Sequence, residues 1–326
     1  MKHAVICDLG SETSKVGFSS CDLPEHFLPS VVTRNLYRSE LEERSSGLLI
    51  PEVFPEIHQS SLFMQRSSFV NAEWVADAVF RYSQIYYKDK ALDRNVILSE
   101  ALNLNKQKRQ DVIEILFEKN EIDNIAVLSQ LDMVLQSFGL VTGLVVELGH
   151  GSTQIVPVFD SFKISNLSEN LIYYNGQTLN KLLKHRISNP ANGLLDSSIY
   201  KKLKSSFGVN ALLTVEDSMC SFNSTCSFFK SFVGTDNQKY DYKLPDGTLF
   251  QSGEIKAVVS NFFMKPEALG LEEKSLASSI QTIFERLNIS LKSDIQKTII
   301  LSGGQSHTRG LRSALSRALV ALNGGD

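Results

Sequence analysis

The sequence predicts an α/β protein with two lobes, each built around its own β-sheet. Strands alternate with helices along most of the chain, which is typical of sheets covered by helices. A strand-turn-strand unit near the start returns 139 residues later, and 326 residues exceed the usual size of one domain. We expect the first lobe to span residues 1–137 and the second lobe to span residues 138–326.

The chain opens on a β-hairpin with the composition of a phosphate-binding turn. An apolar strand ends at Asp8, a tight turn follows at Gly10 and Ser11, and a second strand begins near Lys15. Glycine lets backbone N–H groups approach an anion, the serine hydroxyl adds a donor, and the lysine adds a positive charge. Asp8 is then expected to face a metal ion. An ordinary surface hairpin uses the same residue types, so this turn alone leaves both interpretations open.

The next part of the first lobe is irregular before order returns. Charges, serines and prolines interrupt residues 34–68, which predicts a small irregular outer subdomain with a limited core. Asn71 is then a candidate cap for a helix in which Trp74, Ala78, Tyr82 and Ile85 recur at helical spacing. Alternating strands and helices are predicted over residues 96–100, 106–119, 125–128 and 131–138.

The opening design returns at residues 142–158, where an apolar strand ends at Glu147 and a glycine turn leads into another strand. This is an internal repeat, and two such turns can hold a phosphate chain from both sides. A later buried strand ends at Gly303 and Gly304, whose backbone can lie close to a flat ligand or a phosphate. Helices are further predicted near residues 178–186, 198–207, 210–220, 276–287 and 311–322, and a hairpin over residues 239–250.

Composition narrows the class of protein. A net charge of −3 and a pI near 6.1 argue against a surface that binds duplex nucleic acid. No apolar run approaches the roughly 20 residues of a membrane span, and no signal pattern precedes the first strand. Four cysteines without ligand spacing predict neither a zinc site nor a disulfide framework. We therefore expect an intracellular protein without direct membrane contact.

The three glycine turns, in this order, resemble those of the actin family, within the wider group of two-lobed ATPases that includes sugar kinases and heat-shock chaperones. Residues 27–32 and 99–103 are similar to family motifs, and Leu244-Pro245-Asp246-Gly247 matches one unchanged. The resemblance covers essentially the whole chain and is poorest over residues 34–68. It implies duplicated ribonuclease-H-like domains around an interlobe nucleotide cleft, with a further subdomain at about residues 174–250.

By this resemblance the cofactor is ATP or ADP with Mg2+. The residues implied to bind it are Gly10, Ser11 and Lys15 in a first phosphate loop, Gly149, His150 and Gly151 in a second, Glu216 and Asp217 beside the purine and ribose, and Gly303 and Gly304 in an adenosine loop. Asp8 and Glu147 are implied to contact the metal or its waters. Gln130 aligns with the glutamine that orients the attacking water.

Several residues depart from the family pattern at this site. Glu12 replaces a glycine of the first loop, and a carboxylate repels phosphates. Glu147 is one methylene longer than the family's aspartate, and an ångström-scale misplacement can cost about 100-fold in rate. His150 replaces an aspartate, Gln154 a histidine implicated in proton relay, and Glu216 a lysine. The resemblance therefore implies nucleotide binding with weak or no hydrolysis, at most a weak ATPase.

The functional prediction follows from these departures. We expect a divergent actin-related protein that acts as a structural or regulatory subunit of a multiprotein assembly, such as a chromatin-remodelling or dynein-activating complex. Its expected partners are actin, other actin-related proteins or complex subunits. The alternative is a filament-forming actin-like ATPase, whereas matches outside the phosphate loops disfavour a sugar kinase. Actin itself continues beyond the position of Leu322 and returns to its first lobe, so we expect a truncation, a different closure or a covering partner.

Overall fold

The computed structural model describes residues 3–35, 58–62, 64–87, 94–102, 104–187, 241–243, 249–251, 253–308 and 310–323. The chain divides into two compact units, Met1–Val141 and Thr142–Asp326. This division lies four residues beyond the expected lobe boundary, and the finer subdomain limits stay a prediction. The helices predicted at residues 198–207 and 210–220, and the turn of the hairpin at residues 244–248, lie outside the described residues.

Unit 1 is a mixed sheet with helices packed on it. Its described elements are β1 (Val5–Asp8), β2 (Thr13–Phe18), β3 (His26–Pro29), β4 (Val31–Asn35), β5 (His58–Leu62), β6 (Met64–Gln65), β7 (Ser68–Phe69), α1 (Ala72–Tyr86), β8 (Asn95–Glu100), α2 (Lys106–Glu118), β9 (Asn124–Ser129) and α3 (Gln130–Ser137). The main sheet has the order β3-β2-β1-β8-β9. Strand β1 runs antiparallel to β2 and parallel to β8.

Helix α1 forms where the sequence predicts it. Asn71 caps it, since the Asn71 side-chain oxygen accepts a hydrogen bond from the Trp74 N–H at 3.2 Å. Its buried face centres on Val75, Val79 and Tyr82, whereas Trp74 is only half-buried. The helix is apolar on more than one side, so spacing alone did not identify the side that packs on the sheet.

Cys7 lies in the core of unit 1 and is fully buried. Burial, together with the charge of Asp8, raises the pKa of the Cys7 thiol to about 12. A thiol that stays protonated at neutral pH is a poor nucleophile and metal ligand. Cys7 therefore packs as a small hydrophobic side chain, as expected from its place in an apolar strand.

The far end of the segment predicted to be irregular is ordered. Strand β5 pairs antiparallel with β4, from Val31 opposite Leu62 to Asn35 opposite His58. Met64 and Phe69, on the next hairpin, are buried in the core of unit 1. Sequence reasoning missed β5 because its residues show no apolar alternation, and its strand conformation comes from backbone pairing.

Unit 2 repeats the design of unit 1. Its described elements are β10 (Gly143–Leu148), β11 (Thr153–Phe159), β12 (Phe162–Lys163), β13 (Glu169–Leu171), α4 (Gly176–Ile187), β14 (Asp241–Lys243), β15 (Leu249–Gln251), α5 (Gly253–Met264), α6 (Leu276–Arg286), α7 (Ile289–Ile295), β16 (Ile299–Ser302) and α8 (Leu311–Leu322). Strand β10 runs antiparallel to β11 and parallel to β16. The hairpin β10–β11 therefore occupies the position that β1–β2 has in unit 1.

Aromatic packing fixes the core of unit 2. The ring of Tyr174 stacks on Phe262 with centroids 4.8 Å apart, and its hydroxyl donates to the Phe263 carbonyl at 2.8 Å. Helix α5, which carries both phenylalanines, was not predicted, although Ile255, Val258, Val259, Phe262 and Phe263 recur at helical spacing. Among the described residues, no helix is both long and apolar enough to cross a membrane.

Candidate functional site

The register of the first hairpin brings two charged residues together. Asp8 ends β1 and lies directly opposite Lys15 on β2. The Lys15 ammonium donates to Asp8 Oδ2 at 3.0 Å, and the two side chains are 46% and 31% exposed. Solvent can therefore reach this ion pair, which stands beside the Gly10 turn as the sequence predicts.

Asp8 is the centre of a polar cluster in unit 1 that also contains Lys15, Ser99 and Gln130. Its Oδ1 accepts a hydrogen bond from Ser99 Oγ at 2.6 Å and one from Gln130 Nε2 at 2.8 Å. Burial by itself would raise the pKa of the Asp8 carboxyl, but the charge of Lys15 and the hydrogen bonds from Ser99, Lys15 and Gln130 outweigh it and lower the pKa. The carboxylate is therefore charged at neutral pH and able to attract a cation.

Parallel strands explain how the cluster assembles. Strands β1, β8 and β9 are parallel neighbours, so their carboxyl ends meet at one edge of the sheet. Asp8 ends β1, Ser99 stands one residue before the end of β8, and Gln130 follows directly after β9. Sequence reasoning identified Asp8 and Gln130 but missed Ser99, although the polar residue near the end of a buried strand was a usable signal.

The turn of the first hairpin is fixed by hydrogen bonds from neighbouring segments. Ser30 Oγ donates to the Gly10 carbonyl at 2.5 Å and lies 2.9 Å from the hydroxyl of Ser14. The Ser67 N–H donates to Ser11 Oγ at 3.1 Å. A Cβ atom on Gly10 would lie 2.5 Å from the Thr13 carbonyl oxygen, so this position requires glycine. These hydrogen bonds therefore hold the predicted phosphate loop in this conformation without the help of a ligand.

We expect Ser30→Ala to destabilise unit 1 by about 1 to 3 kcal/mol, because it leaves the Gly10 carbonyl and the buried Ser14 hydroxyl without this partner. Denaturant unfolding followed by fluorescence measures the change. Ser137→Ala is the matched control, since the Ser137 hydroxyl is exposed and bonds only within its own helix turn, to the Val134 carbonyl. Equal stability of the two variants would contradict the assigned role of Ser30.

The second turn, at Gly149, His150 and Gly151, has the same local geometry. The Gly149 N–H donates to the Ser152 carbonyl at 3.0 Å. A Cβ atom on Gly149 would lie 2.8 Å from that carbonyl oxygen. Similarly, a Cβ atom on Gly10 would lie 2.5 Å from the Thr13 carbonyl oxygen. Both turns therefore combine a carboxylate at the end of a strand with a glycine two residues later that cannot carry a side chain.

Glu147 lies in a polar row that crosses the sheet of unit 2. It stands opposite Gln154 on β11 and Ser302 on β16, and Gln154 in turn stands opposite Asn170 on β13. In unit 1 the corresponding place of Gln154 is taken by Lys15. The residue opposite Glu147 is therefore neutral, whereas the residue opposite Asp8 is a cation.

Backbone contacts from two other segments support the second turn. The N–H groups of Gly176 and Gln177, at the start of α4, donate to the carbonyls of Gly149 and His150 at 3.1 and 3.0 Å. Gln305 is 4% exposed, and its Nε2 donates to the Gly149 carbonyl at 3.4 Å. No local pattern identifies Gln305, because its contact depends on a residue 156 positions away.

Gly303 touches the strand that leads into the second turn. Its φ is +84°, and a Cβ atom there would lie 2.5 Å from the Leu148 carbonyl oxygen. Gly304 follows, exposed, and an added Cβ would meet nothing within 4 Å. Of the two predicted adenosine-loop glycines, the fold therefore requires Gly303, whereas position 304 has room for a side chain.

The remaining predicted residues and the metal can be placed only in part. Glu216 and Asp217 lie outside the described residues. Within the described part of the chain, no three or more His, Cys, Asp or Glu side chains gather as a metal cage. Mg2+ in nucleotide sites is usually held by one or two carboxylates together with phosphates and waters. The charged, partly exposed Asp8 fits that requirement.

The comparison with protein families identifies the family of this chain, because the family model for actin matches residues 1–325. The chain belongs to the actin family. The resemblance drawn from the sequence is thereby confirmed, and so is the two-lobed actin-like fold of mixed α/β class.

Relatives within the actin family are distant. Actin-like protein 7A of Rattus norvegicus is 23% identical over 329 residues, covering 98% of this chain and 71% of its own length. Actin-related protein 2 of Arabidopsis thaliana is 23% identical over 327 residues, with 98% and 81% covered. Actin-related protein 2 of Saccharomyces cerevisiae is 24% identical over 336 residues, with 98% and 82% covered. This chain is a divergent actin-related protein.

Proposed function

We propose that this actin-family protein binds ATP or ADP with Mg2+, hydrolyses ATP weakly or not at all, and acts as a structural or regulatory subunit of a multiprotein assembly. The observation that carries the nucleotide proposal is the cluster of Asp8, Lys15 and Gln130 beside the Gly10 turn. It combines a cation that can bind phosphates, a charged carboxylate that can bind a metal, and an amide that is hydrogen-bonded to this carboxylate.

Each group in unit 1 has a defined task in this proposal. The N–H groups of the Gly10 turn, the Ser11 hydroxyl and Lys15 bind the phosphate oxygens. Asp8 binds waters of Mg2+, which neutralises phosphate charge when bound. Because Asp8 is an acceptor, Gln130 directs its Nε2 toward the carboxylate and its Oε1 away from it, where Oε1 can accept a hydrogen bond from water.

The groups in unit 2 are assigned in the same way. His150 and Gly151 offer backbone donors to phosphate, Gly149 shapes their turn through its hydrogen bond to the Ser152 carbonyl, and Glu147 binds waters of the metal. Gly303 and Gly304 pass close to the adenosine, and Glu216 and Asp217 stand beside the purine and ribose. For these last two residues the family resemblance alone supports the assignment.

Weak hydrolysis follows from the chemistry of the row through Glu147. Attack of water on a phosphate requires a route for the proton, and a glutamine amide does not accept one. Gln154 occupies the place opposite Glu147 and is 2% exposed. Bulk water therefore does not easily reach this place to accept the proton instead. Nucleotide would then stabilise the fold and the partner-binding state more than it drives a cycle.

The assembly role rests on this loss of catalytic groups within a family of complex-forming proteins. Expected partners are actin, other actin-related proteins or complex subunits, of a chromatin-remodelling or a cytoskeletal, dynactin-like type. The expected setting is intracellular, in the cytoplasm, the cytoskeleton or the nucleus. The relatives include proteins named actin-related protein 2, which favours a role of this kind.

Calorimetric titration with ADP and with ATP, each with Mg2+ and again with EDTA, tests the nucleotide proposal. We expect binding that Mg2+ strengthens, together with phosphate release far slower than one turnover per minute. Absence of heat at millimolar nucleotide would overturn the binding proposal. Rapid phosphate release would overturn the proposed weak hydrolysis.

The alternative function is a filament-forming actin-like ATPase, and the match over residues 1–325 keeps it under test. Sedimentation after addition of ATP, Mg2+ and salt separates the two. We expect the protein to stay in the supernatant. Pelleting into filaments visible by electron microscopy would replace the assembly-subunit proposal with the alternative.

A further inference from the structure

Ser99 is the buried member of the Asp8 cluster. It is 5% exposed, whereas the side chains of Lys15 and Asp8 are 46% and 31% exposed. Its hydroxyl donates to Asp8 Oδ1 at 2.6 Å and accepts from the Leu9 N–H at 3.2 Å. One hydroxyl therefore joins the carboxylate to the backbone of the first turn.

The donor and acceptor inventory fixes the direction of each hydrogen bond. A carboxylate only accepts, so the single hydroxyl proton of Ser99 must point to Asp8. The two lone pairs of Ser99 Oγ then face the Leu9 N–H and Gln130 Nε2, the latter at 3.2 Å. The hydroxyl has no capacity left, and any rotation about its side chain would break at least one of these contacts.

The other two donors to Asp8 have a second task. Lys15 is required by phosphate in the proposed nucleotide complex and can leave Asp8 when it engages the ligand, whereas Gln130 serves water through its Oε1 and keeps its Nε2 on Asp8 and Ser99. Ser99 is buried, anchored to the turn and one position from the end of β8, so it has no comparable alternative partner. It can therefore stay on Asp8 throughout and help to hold the Gln130 amide there.

We propose that Ser99 is a positioning residue that holds Asp8, the Gln130 amide and the first turn in place while Lys15 exchanges its contact with Asp8 for contacts with the nucleotide. This inference rests on the nucleotide binding proposed above. It assigns to the end of β8 a role in the site that the phosphate loops do not supply.

The first test observes the cluster without any ligand. In protein labelled with 15N-glutamine, the Gln130 side-chain NH2 signals are assigned by their loss in Gln130→Ala. We expect Ser99→Ala to move these signals toward the values of a solvent-exposed glutamine, and Ser99→Thr, which keeps the hydroxyl, to retain them. Unchanged signals in Ser99→Ala would overturn the proposal, as would equal changes in the alanine and threonine variants.

The second test measures Mg2+-ADP affinity by calorimetry. We expect Ser99→Ala to weaken binding about tenfold, the typical effect of losing a hydrogen bond to a charged group. In an Asp8→Asn background the same change should add little, because Ser99 acts through Asp8. Ser83→Ala is the matched control and should bind as the wild type does, since the buried Ser83 hydroxyl bonds within α1, to the Phe80 carbonyl.

The two tests separate failure of this inference from failure of the proposed function. Wild-type protein that binds no nucleotide would overturn the proposed function, whereas the NMR experiment would still decide whether Ser99 holds the cluster. Nucleotide binding with fully additive effects of Ser99→Ala and Asp8→Asn would overturn the positioning role alone.

Discussion

Replacing Lys15 with alanine is expected to weaken ATP binding by about 10- to 100-fold, the effect of losing a charge-assisted hydrogen bond to phosphate. Lys15 lies opposite Asp8 in the hairpin register, and its side chain is 46% exposed beside the Gly10 turn. The change also leaves Asp8 without its cation, so the carboxylate repels the phosphates more strongly. Calorimetric titration with Mg2+-ATP measures the loss.

Two further variants make this experiment specific. Lys119→Ala removes another exposed lysine of unit 1, one that pairs with Glu73 at 3.3 Å, and should bind ATP as the wild type does. Lys15→Arg should bind with intermediate affinity, because it keeps the charge but presents a planar, longer group. If Lys15→Ala and Lys119→Ala bind equally well, Lys15 does not contact the phosphates.

Gly303→Ala is expected to destabilise the protein by about 3 kcal/mol. The conformation of Gly303, with φ 84° and ψ 165°, is adopted almost only by glycine and costs other residues roughly 1 to 3 kcal/mol, and overpacking costs about 1 to 3 kcal/mol more. Both apply here, because φ is +84° and the new Cβ would lie 2.5 Å from the Leu148 carbonyl oxygen and 2.7 Å from its carbon. Backbone atoms cannot rotate away as a flexible side chain can.

Gly304→Ala provides the control for stability, since an added Cβ at the adjacent position meets nothing within 4 Å. Its free energy of unfolding should stay within about 0.5 kcal/mol of the wild type, the usual range for a change at the surface. Denaturant unfolding of the two variants side by side measures the difference. Similar losses in both would show that the close contact of Gly303 with β10 does not limit the fold.

These experiments depend on features of two kinds, and the sequence predicts only the first. Turn chemistry and helix caps involve residues close in the chain, so the Gly10 turn and the Asn71 cap could be recognised from local pattern. The repeat of the hairpin at Glu147 and the alternation of strands and helices gave the two-lobed α/β class in the same way. The match to the actin family confirms that class.

Features of the second kind join residues far apart. Ser99 reaches Asp8 across 91 positions and Gln130 across 122, and no local pattern specifies such pairs. The strand β5 was missed for a related reason, because pairing with β4 decides its conformation. The helix α5, in contrast, has apolar residues at helical spacing and was open to prediction from the sequence.

By itself, the sequence determined the family and the two carboxylate-glycine hairpins, because their motifs are specified by side chains within a few positions of one another. The tertiary structure alone decided which polar groups support them. The parallel order of β1, β8 and β9 sets Ser99 and Gln130 on Asp8, and the close approach of β16 to β10 makes Gly303 obligatory. Sheet order depends on residues far apart in the sequence. It places the supporting side chains around a turn that resembles those of ATPases, and a single substitution can test each support.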